Sequence, residues 1–162
     1  MKVRLLFVCL GNICRSPAAE GIFLAMAKRE GIDQQISVDS AGTSAFHSGQ
    51  PADTRMRRHS QERGYHLPSL ARQFDPLRDF DSFDYILTMD ESNYNDVIES
   101  APSEVAKAKV YPMISFCRIH KVPRVPDPYH DGEDGFRLVL DILEDSCSQL
   151  LKRVLQDLKT QD

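Results

Sequence analysis

Residues Phe7 to Gly21 read FVCLGNICRSPAAEG. A cysteine ends an apolar run, a Gly-Asn pair follows, and an arginine stands six positions beyond that cysteine, directly before Ser-Pro. Upstream, KVRLLFV (Lys2 to Val8) is short and apolar and stops at the turn signal, the pattern of a buried strand. Downstream, Ser16 suits a helix cap, Pro17 the first helical position, and Gly31 the end of a helix from about Pro17 to Glu30. The stretch therefore reads as strand, short loop, helix.

The same alternation continues along the chain. ISVDSAG (Ile36 to Gly42), FDYILTM (Phe83 to Met89) and AKVYPM (Ala108 to Met113) read as further strands. DTRMRRHSQERG (Asp53 to Gly64) and DESNYNDVIES (Asp90 to Ser100) read as helices, closed by a glycine and by Pro102. From Gly135 onward, Phe136, Val139, Leu140, Leu143, Cys147, Leu150, Leu151, Val154 and Leu158 recur at spacings of three and four, the apolar stripe of a long helix. Strands alternating with helices predict an α/β fold with a parallel sheet covered on both faces, in one domain spanning residues 1–162. Ligands of such sheets bind beyond the carboxyl ends of the strands, where Phe7 to Gly21 leaves the first strand.

A loop between a strand end and a helix start directs backbone N–H groups inward and adds the positive end of the helix dipole, which makes it a cradle for an anion. Leu10, Gly11, Asn12, Ile13, Cys14, Arg15 and Ser16 would form it. Gly11 gives freedom to turn, Asn12 tolerates positive φ and can bond back to the loop backbone, and Arg15 can grip two oxygens of a tetrahedral oxyanion. The same field favours a thiolate at Cys9, which would attack phosphorus, and the Ser16 hydroxyl could steady that sulfur. A Cys-x5-Arg spacing by itself also suits two buried core thiols. The agreement of strand, cysteine, Gly-Asn, Cys-Arg-Ser and a helix-opening proline favours the anion cradle. The missing Gly-Lys-Ser/Thr excludes a nucleotide-type phosphate loop, and missing glycines exclude a dinucleotide fingerprint.

Composition sets wider limits. With 24 acidic and 20 basic residues the 162-residue chain carries a net charge of −4, which offers no footprint for nucleic acid or an anionic membrane. No apolar run approaches the length of a membrane span, so the chain reads as cytoplasmic. The four cysteines, Cys9, Cys14, Cys117 and Cys147, have no Cys-x-x-Cys pair and no zinc-finger spacing to histidine, and read as free thiols, the last two in the core. Arg55, Arg57 and Arg58 read as a solvated helix face. His47, His59, His66 and His120 read as surface or locally bonded residues, not metal ligands.

The string VCLGNICRSPAAE resembles, almost residue for residue, the phosphate-loop motif of the low-molecular-weight protein tyrosine phosphatases, including their bacterial members. DSAGT (Asp39 to Thr43), GQPAD (Gly49 to Asp53), ARQF (Ala71 to Phe74), FDYILTMDESN (Phe83 to Asn93) and DPYH (Asp127 to His130) are similar to family segments in family order. The resemblance implies a four-stranded parallel sheet of order 2-1-3-4, hydrolysis of phosphotyrosine through a cysteinyl phosphate on Cys9, and neither metal nor cofactor. It implies that Arg15 binds the phosphate and that Asp127, between two stiffening prolines, is the general acid and later the base that activates water.

The resemblance also implies that Asn12, Ser40 and Asp90 support the loop by hydrogen bonds, and that Ile13, Phe46, Tyr129 and His130 border the substrate. Phe46 replaces a more usual Trp or Tyr, and His130 stands where many relatives have a second Tyr. Related protein arginine phosphatases carry Thr at position 13, and many relatives carry His where this chain has Ser69. Family members with a Cys9–Cys14 pair use it for redox protection. The implied partners are phosphotyrosine proteins, by analogy bacterial tyrosine kinases of polysaccharide export, with inorganic phosphate as product. Two other readings share the motif. An arsenate reductase needs additional cysteines close together, and residues 15 to 116 contain none; a silent phosphotyrosine-binding module is expected to have lost nucleophile or acid, and this chain keeps both.

Overall fold

The computed structural model describes residues 2–161. Its elements, in chain order, are β1 (Val3–Cys9), α1 (Arg15–Arg29), β2 (Ile36–Gly42), α2 (Thr54–Glu62), α3 (Asp79–Ser82), β3 (Tyr85–Thr88), α4 (Glu91–Ser100), α5 (Glu104–Lys107), β4 (Val110–Pro112) and α6 (Glu133–Thr160). All strand pairings are parallel, in the order β2-β1-β3-β4, as the resemblance implied. The four expected strands and the four expected helices, α1, α2, α4 and α6, are present. The short α3 and α5 lie in segments where no periodicity announces them.

β1 is central, which explains its unbroken apolar run. Val3, Leu5, Phe7 and Cys9 point into one core and Leu6 and Val8 into the other, the period of two that a strand imposes. The larger core is closed by α1 and α6, whose nine-residue apolar stripe is buried throughout. The smaller gathers Phe74, Phe80, Phe83, Ile86, Val97, Ala106 and Val110 on the opposite face. Phe7 is fully buried against Phe23, with ring centroids 5.9 Å apart, and such burial stabilises by roughly 1.5–3 kcal/mol.

Several boundaries differ from expectation for identifiable reasons. α1 starts at Arg15, and Ser16 does not cap it; Cys14 occupies the cap position without a side-chain bond, and the Ser16 hydroxyl turns toward the loop. Asp53 caps α2, accepting from the amides of Arg55 (2.8 Å) and Met56 (3.3 Å). Asp90 and Asn93 form a reciprocal capping box at α4. α6 begins at Glu133, two residues before the expected start. Cys147 is fully buried and Cys117 only half-buried. Among the described residues no helix is long and apolar enough to cross a membrane.

β1 and β3 lie side by side at the point where strand order reverses, and their carboxyl ends release Cys9–Arg15 and Met89–Asp90 next to each other. This juxtaposition positions the site.

Candidate active site

The loop from Leu10 to Cys14 curls back over the end of β1. Asn12 has φ 56°, the left-handed conformation expected for it, and its backbone N–H donates to Cys9 Sγ at 3.3 Å. The Asn12 side chain does not bond to the loop backbone: Nδ2 donates to Ser16 Oγ (2.8 Å), and Oδ1 accepts from the Arg72 amide (3.0 Å). Ser16 Oγ lies 3.0 Å from Cys9 Sγ. The candidate nucleophile thus faces a backbone amide and a hydroxyl, both able to donate to a thiolate.

Arg15 is 2% exposed and cannot remain there uncompensated. Its Nη1 donates to Asp90 Oδ2 at 2.6 Å and to the Val125 carbonyl at 3.1 Å, while Nη2 lies 3.7 Å from Asp127 Oδ2. Burial works against its charge, but Cys9, Asp90 and Asp127 outweigh that penalty and raise its affinity for the proton. Asp127 itself is half-exposed, and its Oδ1 accepts from the Tyr129 amide at 3.1 Å. The Val125 amide donates to the Met89 carbonyl (2.9 Å), so the segment carrying Asp127 is pinned to the end of β3.

Cys9, Arg15 and Asp127 meet in one cavity of about 360 Å³, lined also by Leu10, Gly11, Ile13, Cys14, Ser44, Phe46, His47, Tyr129 and His130. Every expected substrate-bordering residue faces this space. Phe46 is 82% exposed, so its ring stands free at the rim; the His47 ring packs edge-on against it and reaches toward Tyr129. Cys9 and Arg15 are buried and Phe46 and Tyr129 exposed, an arrangement suited to a phosphate carried on a flat apolar group.

Ser40 does not bond to the loop. Its hydroxyl donates to Glu20 Oε1 on α1, and Ser69, where relatives often have His, donates to Glu20 Oε2, both at 2.6 Å. Burial pushes the Glu20 carboxyl up, the two hydroxyls oppose the shift, and the three side chains tie α1 to β2 and to the segment that delivers the Arg72 amide to Asn12. Arg72 is itself held by Asp39 (3.0 Å) and Asp79 (3.1 Å).

Sequence reasoning missed His47, Ser44, Arg72 and the glycine beneath the loop. A Cβ on Gly42 would stand 2.6 Å from the Leu10 carbonyl oxygen and 3.1 Å from the Asn12 nitrogen, so the loop rests directly on the end of β2. The signal available was Gly42 within DSAGT at a strand terminus. Arg55 is not a freely solvated charge, since it is paired with Asp53, and His59 is buried with its ring stacked on Phe136. Among the described residues no cluster of His, Cys, Asp and Glu is placed to hold a metal ion.

Known proteins with this arrangement are many and alike over their whole length. A low molecular weight protein-tyrosine-phosphatase of Streptomyces coelicolor is 36% identical, over 98% of this chain and 98% of the relative. A solved protein tyrosine phosphatase of Entamoeba histolytica, with Hepes in its active site, is 44% identical and superposes with a TM-score of 0.93 over 96% of this chain and 99% of its own. A Drosophila arginine phosphatase gives 30% identity and a TM-score of 0.86 over 94% and 97%. The family model described as low molecular weight phosphotyrosine protein phosphatase matches residues 4–160. With the motif, the sheet order and the relatives in agreement along nearly all of its length, this chain belongs to the low-molecular-weight protein tyrosine phosphatases, a family of hydrolases.

Proposed function

We propose that the protein hydrolyses phosphotyrosine in proteins through a cysteinyl-phosphate intermediate. The observation that carries this reading is the cavity in which Cys9 Sγ, the buried Arg15 and the half-exposed Asp127 converge beneath a mouth of aromatic rings. In the first step the Cys9 thiolate attacks phosphorus, the developing negative charge is met by Arg15 and the loop, and Asp127 gives its proton to the leaving phenol oxygen. In the second step Asp127, now ionised, takes a proton from water as that water attacks the phosphocysteine, releasing inorganic phosphate and the thiolate. Asp90 holds Arg15 in place, and Ser16 and the Asn12 amide stabilise the sulfur when it carries charge. By analogy with bacterial members of the family, a phosphorylated tyrosine kinase is a fitting substrate class, and a reducing cytoplasm suits the free thiols.

The test is a parallel assay of phosphotyrosine, phosphoarginine and arsenate. Wild type should favour phosphotyrosine; a preference for arsenate reduction or for phosphoarginine would overturn the reading. Cys9→Ser should abolish turnover while retaining phosphate binding. Asp127→Asn should slow hydrolysis by about 100-fold, more for poor leaving groups than for good ones. The arginine phosphatase reading is addressed by Ile13, buried in the cavity wall beside Gly11. Ile13→Thr should raise the phosphoarginine to phosphotyrosine rate ratio, and an unchanged ratio would remove Ile13 from the account of specificity.

A further inference from the structure

One guanidinium at the start of α2 reaches three separate parts of the protein. Arg55 Nε and Nη2 grip Asp53 Oδ1 and Oδ2 at 3.2 and 3.0 Å. The same Nη2 donates to the Tyr129 carbonyl at 2.9 Å, and the guanidinium carbon lies 5.4 Å from the Tyr129 ring centroid and 4.8 Å from that of Phe136. Asp53 in turn donates its backbone N–H to the Ile13 carbonyl of the phosphate loop at 2.7 Å. A continuous path of bonds therefore runs from the loop through Asp53 and Arg55 to Tyr129, whose amide is bonded to the Asp127 carboxylate.

Two other contacts act nearby: Asp127 Oδ2 lies 3.7 Å from Arg15 Nη2, and the Val125 amide holds the chain before Asp127 to the Met89 carbonyl at 2.9 Å. Among the described residues, the other hydrogen bonds of 126–132 run to near neighbours, Asp127 with Tyr129, Pro128 with Asp131 and Gly132 with Gly135, and the Arg55 bond ties this stretch to a distant part of the chain. The Arg55 side chain is 42% exposed, and ion pairs so placed add little to stability. Their geometric consequence is larger, because a displacement of about 1 Å in a reacting group costs up to ~100-fold in rate. A lysine has no fork with which to hold both Asp53 and the Tyr129 carbonyl.

We infer that Arg55 is a positioning residue, which sets the distance between the phosphate loop and the Asp127 carboxyl by clamping the Tyr129 backbone to Asp53. This rests on the reading of Asp127 as proton donor. The test compares kcat/KM over a series of aryl phosphates from good to poor phenol leaving groups, for wild type, Arg55→Met, Arg55→Lys, Asp127→Asn and Asp127→Asn with Arg55→Met, with vanadate inhibition measured alongside. Met keeps the apolar stem over both rings. Arg55→Met should lose about 10-fold on the poorest leaving group and clearly less on the best, with vanadate affinity unchanged within about 2-fold. Arg55→Lys should fall between Met and wild type. In the Asp127→Asn background Arg55→Met should add no more than about 2-fold, since the group it positions is gone.

Equal losses across all leaving groups, a weakened vanadate affinity to match, or an undiminished 10-fold loss in the Asp127→Asn background would overturn the proposal. If Asp127→Asn alone leaves the leaving-group dependence unchanged, the proton-donor reading fails, and this proposal with it. That outcome is visible in the single Asp127 variant. Should Arg55→Met not fold by circular dichroism, Arg55→Lys carries the same comparison, and failure of both to fold would make Arg55 a scaffold residue and overturn its positioning role.

Discussion

Cys14 is buried beside the candidate nucleophile in the cavity wall, yet its environment opposes ionisation. Burial pushes its thiol up, and Asp53, Cys9 and Asp127 push in the same direction against a weaker pull from Arg55. At neutral pH it therefore stays a thiol, neither competing for phosphate nor drawing oxidant to itself. If peroxide converts Cys9 to a sulfenic acid, condensation with the Cys14 thiol gives a disulfide and water, and a dithiol restores both sulfurs. After peroxide and then dithiol, wild type should recover most of its activity and Cys14→Ser little, despite similar starting rates. Equal recovery would leave Cys14 as packing. Single side chains such as Cys9, Arg15 and Asp127 were legible in the sequence because each stands in a contiguous motif. The different bonding of Ser40, Ser69 and Asn12 was not, because hydroxyls and amides accept many partners and only proximity chooses among them.

Between elements, the decisive contact is the loop's seat on the end of β2. Cys9 and Gly42 are register partners across β1 and β2, which brings the last residue of β2 under Leu10 and Asn12. Gly42→Ala would drive a methyl group into backbone that has no free end to swing away. The loop must shift, and kcat/KM should fall by about 10- to 100-fold with the helical circular dichroism intact. Activity within 2-fold of wild type would show that the loop tolerates the displacement. Strand and helix identities were readable from periods of two and three-to-four, whereas their ends were not. Ser16 looks like a cap in sequence, but the sulfur of Cys9 and the amide of Asn12 are better placed to use its hydroxyl, so α1 opens two residues earlier than the local pattern suggests.

At the scale of the molecule, α6 does more than close the larger core. Asp145, 6% exposed on its buried face, accepts from the amides of Arg118, Ile119 and His120 and from His120 Nδ1, all between 2.8 and 3.0 Å. This fastens the chain that leads on to Val125 and Asp127. Burial alone would raise the Asp145 carboxyl, but the donors from His120, Arg118 and Ile119 prevail and hold it at about 2, against 3.8 ordinarily. A lowered carboxyl contributes stability that is full above the ordinary value and is lost as pH falls through the folded one, here worth about 2 kcal/mol. Urea midpoints should therefore show Asp145→Asn less stable than wild type at pH 7, with the gap closing between about pH 4 and pH 2. A gap independent of pH would mean that shape, not charge, makes the anchor.

The sequence by itself determined the alternation of strands and helices, the burial of β1 on both faces, the long stripe of α6 and the placing of a thiol and a guanidinium at a strand's end, because each is written in neighbouring residues whose spacing the backbone geometry converts into a face or a turn. Only the tertiary structure decided that Asp90 meets Arg15 across 75 positions, that Arg55 reaches Tyr129 across 74, that Gly42 floors the loop, and that Asp145 gathers three amides from a distant turn. Such pairings depend on which strand ends the sheet order brings together, and no local period encodes that choice.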